Sequence, residues 1–167
     1  FKQETAYEVL RSLVGSEMCI RDSVESGVVD AGITGSDLVI ERKASVNEVV
    51  SLGYGRCRLC VAVRDECQES SLKWLEGKRV ATSFPHITRE FFLSNGVNIE
   101  VIEMNGSVEI MVALGLADAI VDIVETGDSL RDNNLKVFCD IGKYETVLIS
   151  NNAIKNDARI EKAKRRI

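Results

Sequence analysis

The sequence predicts an α/β protein in which strands and helices take turns. Three observations predict it. Between Gly77 and Ser150, β-prone runs alternate with runs spaced for a helix. Gly, Asn, Pro or Ser marks the changes of period. No Gly/Ser-rich tract interrupts the chain, and Pro85 is its one proline, so no flexible linker announces a domain boundary.

Each element has its own justification. "VVDAGITG" (Val28 to Gly35) is a β run that ends in a glycine turn, and "SDLVIE" opens a short helix with Ser36 or Asp37 at its cap. "RCRLCVAVRD" (Arg56 to Asp65) is a strong strand, and "KRVATSF" a short one. "PHITREFFLSNG" starts a helix on Pro85, places Ile87, Phe91 and Phe92 along one face and stops at Asn95 and Gly96. "VNIEVIEM" alternates Val97, Ile99 and Val101 as a half-buried strand does. "GSVEIMVALGLA" offers Ser107 as N-cap and a core-facing stripe of Val108, Met111, Val112 and Gly115. "DAIVDIVET" returns to strand, "LKVFCDIGKYETVLIS" supplies one or two more, and "NDARIEKAKRRI" is a charged helix capped by Asn156 or Asp157. Its basic end, "KAKRRI", is a solvated face or helix C-terminus, with subunit contact second. Alternation at this pitch implies parallel pairing with helices on the sheet faces.

Composition narrows the function. The 167 residues suffice for one good-sized core or two small lobes, and 45% hydrophobic with 28% charged residues is ordinary for a globular chain. Twenty-six acidic against twenty-one basic residues give a net charge of −5, which speaks against a general nucleic-acid surface while leaving a local anion site open. No apolar run approaches membrane-crossing length and the opening residues lack a secretory pattern, so a cytoplasmic protein is expected. The first residue is Phe1 rather than Met, and an N-terminally incomplete chain is expected. The five cysteines read as reduced thiols. Cys57 and Cys60 have C-x-x-C spacing, but on a strand that pair faces opposite sides, against a shared metal or disulfide. His86, the only histidine, leaves no histidine dyad and reads as a surface or cap residue.

The most informative stretch is "VETGDSL". A strand from Ala119 to Val124 that passes through Thr126, Gly127, Asp128 and Ser129 into a helix near Leu130 points unpaired backbone N–H groups at one spot, which favours an anion. Gly127 lets the backbone approach closely, and the Thr126 and Ser129 hydroxyls can donate to phosphate oxygens. Asp122 and Glu125 repel phosphate but can accept hydrogen bonds from vicinal sugar hydroxyls, so the whole fits a phosphorylated ribose. A second reading stands beside this one: Thr126 or Asp128 simply caps the next helix.

The longer string "NGSVEIMVALGLADAIVDIVETGDSLRDNNL" (Asn105 to Leu135) resembles the signature region of the ATP phosphoribosyltransferase catalytic subunit, the family of the first step of histidine biosynthesis. Glu109, Gly115 to Ile120, Asp122 to Val124 and Thr126 to Leu130 come in the family's order and spacing. "VESGVVDAGITGSDLVIE", "GRCRLCVAV" and "RVATSFPHITREFF" resemble three further family blocks. The resemblance implies a two-lobed fold like that of type II periplasmic binding proteins, with mainly parallel sheets and two inter-lobe crossings, "RLCVAV" and "TVLIS". Residues 1–63 with 146–167 would form lobe one, and 64–145 the lobe that binds phosphoribosyl pyrophosphate.

The implied reaction joins ATP to phosphoribosyl pyrophosphate, an adenine ring nitrogen displacing pyrophosphate at the anomeric carbon. Catalysis is then alignment of two substrates and neutralisation of leaving-group charge by Mg2+ and basic side chains, with no metal site of protein ligands alone. By the same resemblance Thr126, Gly127, Asp128 and Ser129 cradle the 5-phosphate, and Asp122 and Glu125 meet the ribose hydroxyls. Asp37 and Glu109 are further candidates on the ligand side. Arg89 is assigned either to the pyrophosphate or to a salt bridge of its own lobe. Implied too is a homo-oligomer, joined by a regulatory subunit if the chain is of the family's short form. The alternative is a non-catalytic two-lobed module that binds phosphate or nucleotide.

Departures from the family pattern are specific. The family's opening strand, P-K-G-R loop and helix have no match, and "RSLVGSEMCIRDS" (Arg11 to Ser23) resembles a translated adapter sequence. Ser36, Ser83 and His86 stand where relatives often carry Lys, Lys and Asn, and "EIMV" replaces a commoner E-L-A-P.

Overall fold

The computed structural model describes residues 17–154 together with 158, 160 and 162. Of the odd segment only the part from Glu17 is included, and the helix expected for the charged tail lies largely outside the described residues.

The chain folds as two compact units whose boundaries fall at Arg56/Cys57 and Tyr144/Glu145. The strands expected to cross between lobes each stay within one unit. Cys57–Arg64 (β3) pairs on both sides within the second unit, and Thr146–Asn151 (β8) pairs on both sides within the first.

The first unit holds a helix, Glu17–Glu25 (α1), then Ala31–Gly35 (β1), Ser36–Glu41 (α2), Val46–Ser51 (β2) and β8. Its sheet runs in the order β1-β8-β2, antiparallel throughout. Val24, Val147 and Ile149 form its core, with Val29, Val39 and Val46 against them. Gly32 is required under α1, because a Cβ there would stand 2.6 Å from the Ile20 side chain. Arg21 fits this helix poorly: it is 6% exposed, and its Nε is buried without a partner.

The second unit continues from β3 through a short 3₁₀ turn, Leu72–Leu75, to Arg79–Thr82 (β4), Pro85–Ser94 (α3), Glu100–Glu103 (β5) and Glu109–Ala113 (α4). Then come Ala119–Val124 (β6), Asp128–Asp132 (α5) and Leu135–Tyr144 (β7). The five strands lie in the order β5-β4-β6-β3-β7. The α/β class expected from the alternation is the class found, but the expectation of mainly parallel sheets is corrected. Only β4 makes parallel pairs, with β5 and β6, while β3 pairs antiparallel with both neighbours. The physical reason lies in the connections. The helical crossovers α3 and α4 return the chain to parallel neighbours, whereas β3 comes before any crossover and is inserted against the direction of the rest.

Local details follow from individual residues. Pro85 opens α3, which buries Ile87, Thr88 and Phe92, and Phe91 meets the Phe92 ring edge-on at a centroid distance of 5.4 Å. The strand expected from Val97 begins only at Glu100, because the Val97 N–H returns to the Phe92 carbonyl and closes the end of α3. Ser107 is not the cap of α4. It lies at φ +52°, and Val108 occupies the cap position without a side-chain bond. The core of the unit gathers Cys60, Ala62, Ala81, Val108, Val112, Ile120, Val124, Leu130 and Leu135 beneath the end of β6. That core fixes where the following turn stands.

Candidate functional site

The turn after β6 is built from the inside out. Val124 and Leu130, both buried, anchor its two ends, so the five residues between them are held at the surface as a loop of defined path. Gly127 sits at φ +82° and ψ 8°, the left-handed conformation, and acts as N-cap of the five-residue helix α5. The first N–H groups of that helix have no intrahelical partner. The Thr126 hydroxyl donates to Asp128 Oδ2 at 2.6 Å, and the other carboxylate oxygen of Asp128 accepts from the Arg131 guanidinium. These two contacts, the hydroxyl first, hold the Asp128 carboxyl below the usual carboxylate range.

Beside the turn lies a pocket of about 250 Å³ lined by Glu109, Asp122 and every residue from Ile123 to Leu130. Seven of the residues singled out from the sequence, Glu109, Asp122, Glu125, Thr126, Gly127, Asp128 and Ser129, are thus brought together. Asp122 is half-buried, and its Oδ1 accepts from the Ile123 N–H at 2.8 Å. Burial pushes its carboxyl above the ordinary value, the Ile123 bond opposes that, and the nearby Glu109 charge adds to it. The lining thus combines the carboxylates of Glu109, Asp122, Glu125 and Asp128 with the backbone amides and hydroxyls of the turn. A ligand with hydroxyls at one end and a phosphate at the other matches both kinds of group.

Two candidates are placed elsewhere. Asp37 belongs to the first unit, where it is 6% exposed at the start of α2. Burial pushes its carboxyl up, against hydrogen bonds from the backbone of Leu38 and of Asp37 itself. A Cβ on Gly35 would stand 2.2 Å from Asp37 Oδ1, which explains the glycine before it. Arg89 pairs with Glu103 at 2.7 Å, both largely exposed, so a salt bridge within its own unit is present. Replacing Arg89 by Ala is expected to lower stability by less than about 1 kcal/mol, read as a thermal melt nearly superimposable on that of the parent.

Two features escaped the sequence reading. Arg131 is one: its link to the turn depends on the i,i+3 geometry of α5, a signal that needs the helix start to be known first. Asp118 is the other. Its carboxylate accepts from the N–H of Arg79 at 3.0 Å and from the Arg79 side chain at 3.4 Å, tying the start of β6 to the start of β4. Cys60 is fully buried on β3, and its thiol donates to Asp140 Oδ1 at 3.2 Å. Burial and that carboxylate push it up to about 12. Among the described residues no group of three or more His, Cys, Asp or Glu is arranged to hold a metal ion, and no helix is long and apolar enough to cross a membrane.

Residues 17–167 match the family model of ATP phosphoribosyltransferase. The chain belongs to the ATP phosphoribosyltransferase family. It is 48% identical over 125 residues to an ATP phosphoribosyltransferase of Rhodopirellula baltica, a match that covers 75% of this chain and 42% of that relative. Among solved structures, a chain of the ATP phosphoribosyl transferase (HisG:HisZ) complex from Thermotoga maritima superposes with a TM-score of 0.77 at 28% identity, covering 89% of this chain and 72% of that one. The arginine-, lysine- and histidine-binding protein ArtJ of Geobacillus stearothermophilus has the same fold, with a TM-score of 0.59 at 19% identity and coverage of 87% and 67%. A periplasmic-binding-protein-like architecture is therefore common to the transferase chain and to an amino-acid-binding protein. The family match reaches back to residue 17 and so includes α1. Asp118 of the G-L-A-D-A-I block is the anchor of Arg79, directly before β6, and does not line this pocket.

Proposed function

We propose that the chain transfers the 5-phosphoribosyl group of phosphoribosyl pyrophosphate to ATP, giving phosphoribosyl-ATP and pyrophosphate, and that the pocket after β6 is its phosphoribosyl pyrophosphate site. The observation that carries this reading is the meeting of Glu109 and Asp122 with the Thr126 to Ser129 turn around one pocket, in a member of this family. The amides and hydroxyls of the turn receive the 5-phosphate, while Asp122 and Glu125 accept from the ribose hydroxyls and so fix the sugar face. Glu109, which also lines the pocket, adds a third carboxylate on the sugar side.

Mg2+ would come bound to the diphosphate of the substrate. Among the described residues no three His, Cys, Asp or Glu side chains are arranged to hold a metal by themselves, which suits a cation that would keep phosphate oxygens and water among its ligands. Its chemistry is to neutralise charge on the departing pyrophosphate. The chain's residues supply alignment: displacement at the anomeric carbon by a ring nitrogen requires no enzyme nucleophile. A cytoplasmic location, self-association and a partner subunit of the kind present in the Thermotoga maritima complex belong to the same proposal.

Calorimetric titration with phosphoribosyl pyrophosphate and Mg2+, beside a pyrophosphate-release assay with ATP, tests the reading. Binding with turnover is the expected result. Binding without turnover would assign the chain to the non-catalytic binding modules that share its fold, and no response to either ligand would remove both assignments.

A further inference from the structure

The turn carries its own anion. Thr126 lines the pocket and Arg131 stands just beyond it on α5, and Asp128 engages both, the hydroxyl at 2.6 Å and the guanidinium with its second oxygen. Arg131 and Asp128 are exposed, with 69% and 65% of their side chains open to solvent, so neither is locked in place by packing. An arriving phosphate would meet a carboxylate of the same sign in the place where it needs a hydroxyl and a guanidinium.

We propose that Asp128 is an internal stand-in for the substrate phosphate: a carboxylate that occupies Thr126 and Arg131 in the empty turn and must be displaced before binding, whereupon Arg131 becomes the phosphate's cation. The inference rests on the reading of this turn as the phosphate seat, and it adds two things to it. Arg131 becomes a binding residue, and Asp128 becomes a residue whose side chain weakens affinity while its backbone supports it. A charge-assisted contact to a phosphate is stronger than an exposed i,i+3 ion pair, so displacement favours the ligand once its concentration is sufficient. The pair thereby sets the affinity of the site without altering its shape.

The test is calorimetric titration of the whole chain with magnesium phosphoribosyl pyrophosphate. Asp128→Asn and Asp128→Ala are each expected to bind about tenfold more tightly than the parent, and Arg131→Gln about tenfold more weakly. In the Arg131→Gln background the Asp128→Asn change is expected to gain less than about threefold, because the cation it would release is gone. Circular dichroism confirms that each variant folds, which their exposed positions favour. An Asp128→Asn protein that binds no more tightly than a binding parent overturns the stand-in and leaves the phosphate seat intact. Equal gains in both backgrounds also overturn it, reducing Asp128 to simple repulsion. Absence of binding in the parent and in all variants removes the seat itself, and the stand-in with it.

Discussion

Replacing Gly127 by valine is expected to weaken phosphoribosyl pyrophosphate binding at least about a hundredfold, since two amide hydrogen bonds to a charged group, at about 1.5–3 kcal/mol each, are put at risk. The cause is torsional. Gly127 sits at φ +82°, where a β-branched residue is a genuine outlier, yet a Cβ built there meets only Val124 Cγ1, at 3.9 Å. No clash therefore forces the core apart. The chain instead relieves about 1–3 kcal/mol of strain by rotating the peptides on either side of residue 127, which swings the amides of the turn away from the pocket. The melting temperature should fall by only about 2–10 °C, and the far-ultraviolet spectrum should be unchanged. Gly127→Ala is the graded control, because alanine tolerates this region better than valine does. Retained affinity in the valine variant would mean that the ligand contacts some other part of the molecule.

Asp122→Asn is expected to separate binding from stability. The carboxyl of Asp122 is pushed up first by burial and then by Glu109, so it holds its proton more tightly in the folded chain than in the unfolded one. The stability this lends is complete below the unfolded value and is lost as pH rises through the raised folded value. At pH 7 the ionised group is therefore a burden on the fold. Asparagine removes the charge and keeps an oxygen for the Ile123 N–H, so the variant should melt higher than the parent at pH 7, with the difference shrinking as the pH is lowered into the carboxylate range. Binding should move the other way, weakening about 10- to 100-fold as a charged acceptor for a ribose hydroxyl is lost. A variant that melts lower at pH 7, or that binds as the parent does, would show that the carboxylate is held there for structure.

The elements that local chemistry determines were legible in the residues. Pro85 marks the start of α3, Asn95 and Gly96 mark its stop, and the run before Glu125 reads as the strand it is. The place of the turn was legible for the same reason, as a glycine with hydroxyls on both sides between a strand and a helix start, although the same residues also fitted a simple helix cap. What depends on partners distant in sequence was not. Leu59 to Val63 read as a strand, yet nothing in them states that β3 runs against its neighbours. β2 was missed because Val46, Asn47, Glu48, Val49, Val50 and Ser51 lack clean alternation, and its pairing with β8 shifts register between Glu48 and Val50. Ser107 looked like a cap by type, but its left-handed backbone places it outside the helix. The role of Arg131 is of this second kind as well, visible only when α5 brings it back over Asp128.

The central claim is that the backbone between Glu125 and Leu130 is the seat of the 5-phosphate, and the backbone amide resonances of the chain test it most directly. On titration with magnesium phosphoribosyl pyrophosphate, the amides of Thr126, Gly127, Asp128 and Ser129 should show the largest shifts and saturate together, while those of Val61 and Ala62 in the buried strand β3 stay nearly fixed. Saturable shifts elsewhere in the molecule with these four amides unmoved would contradict the account.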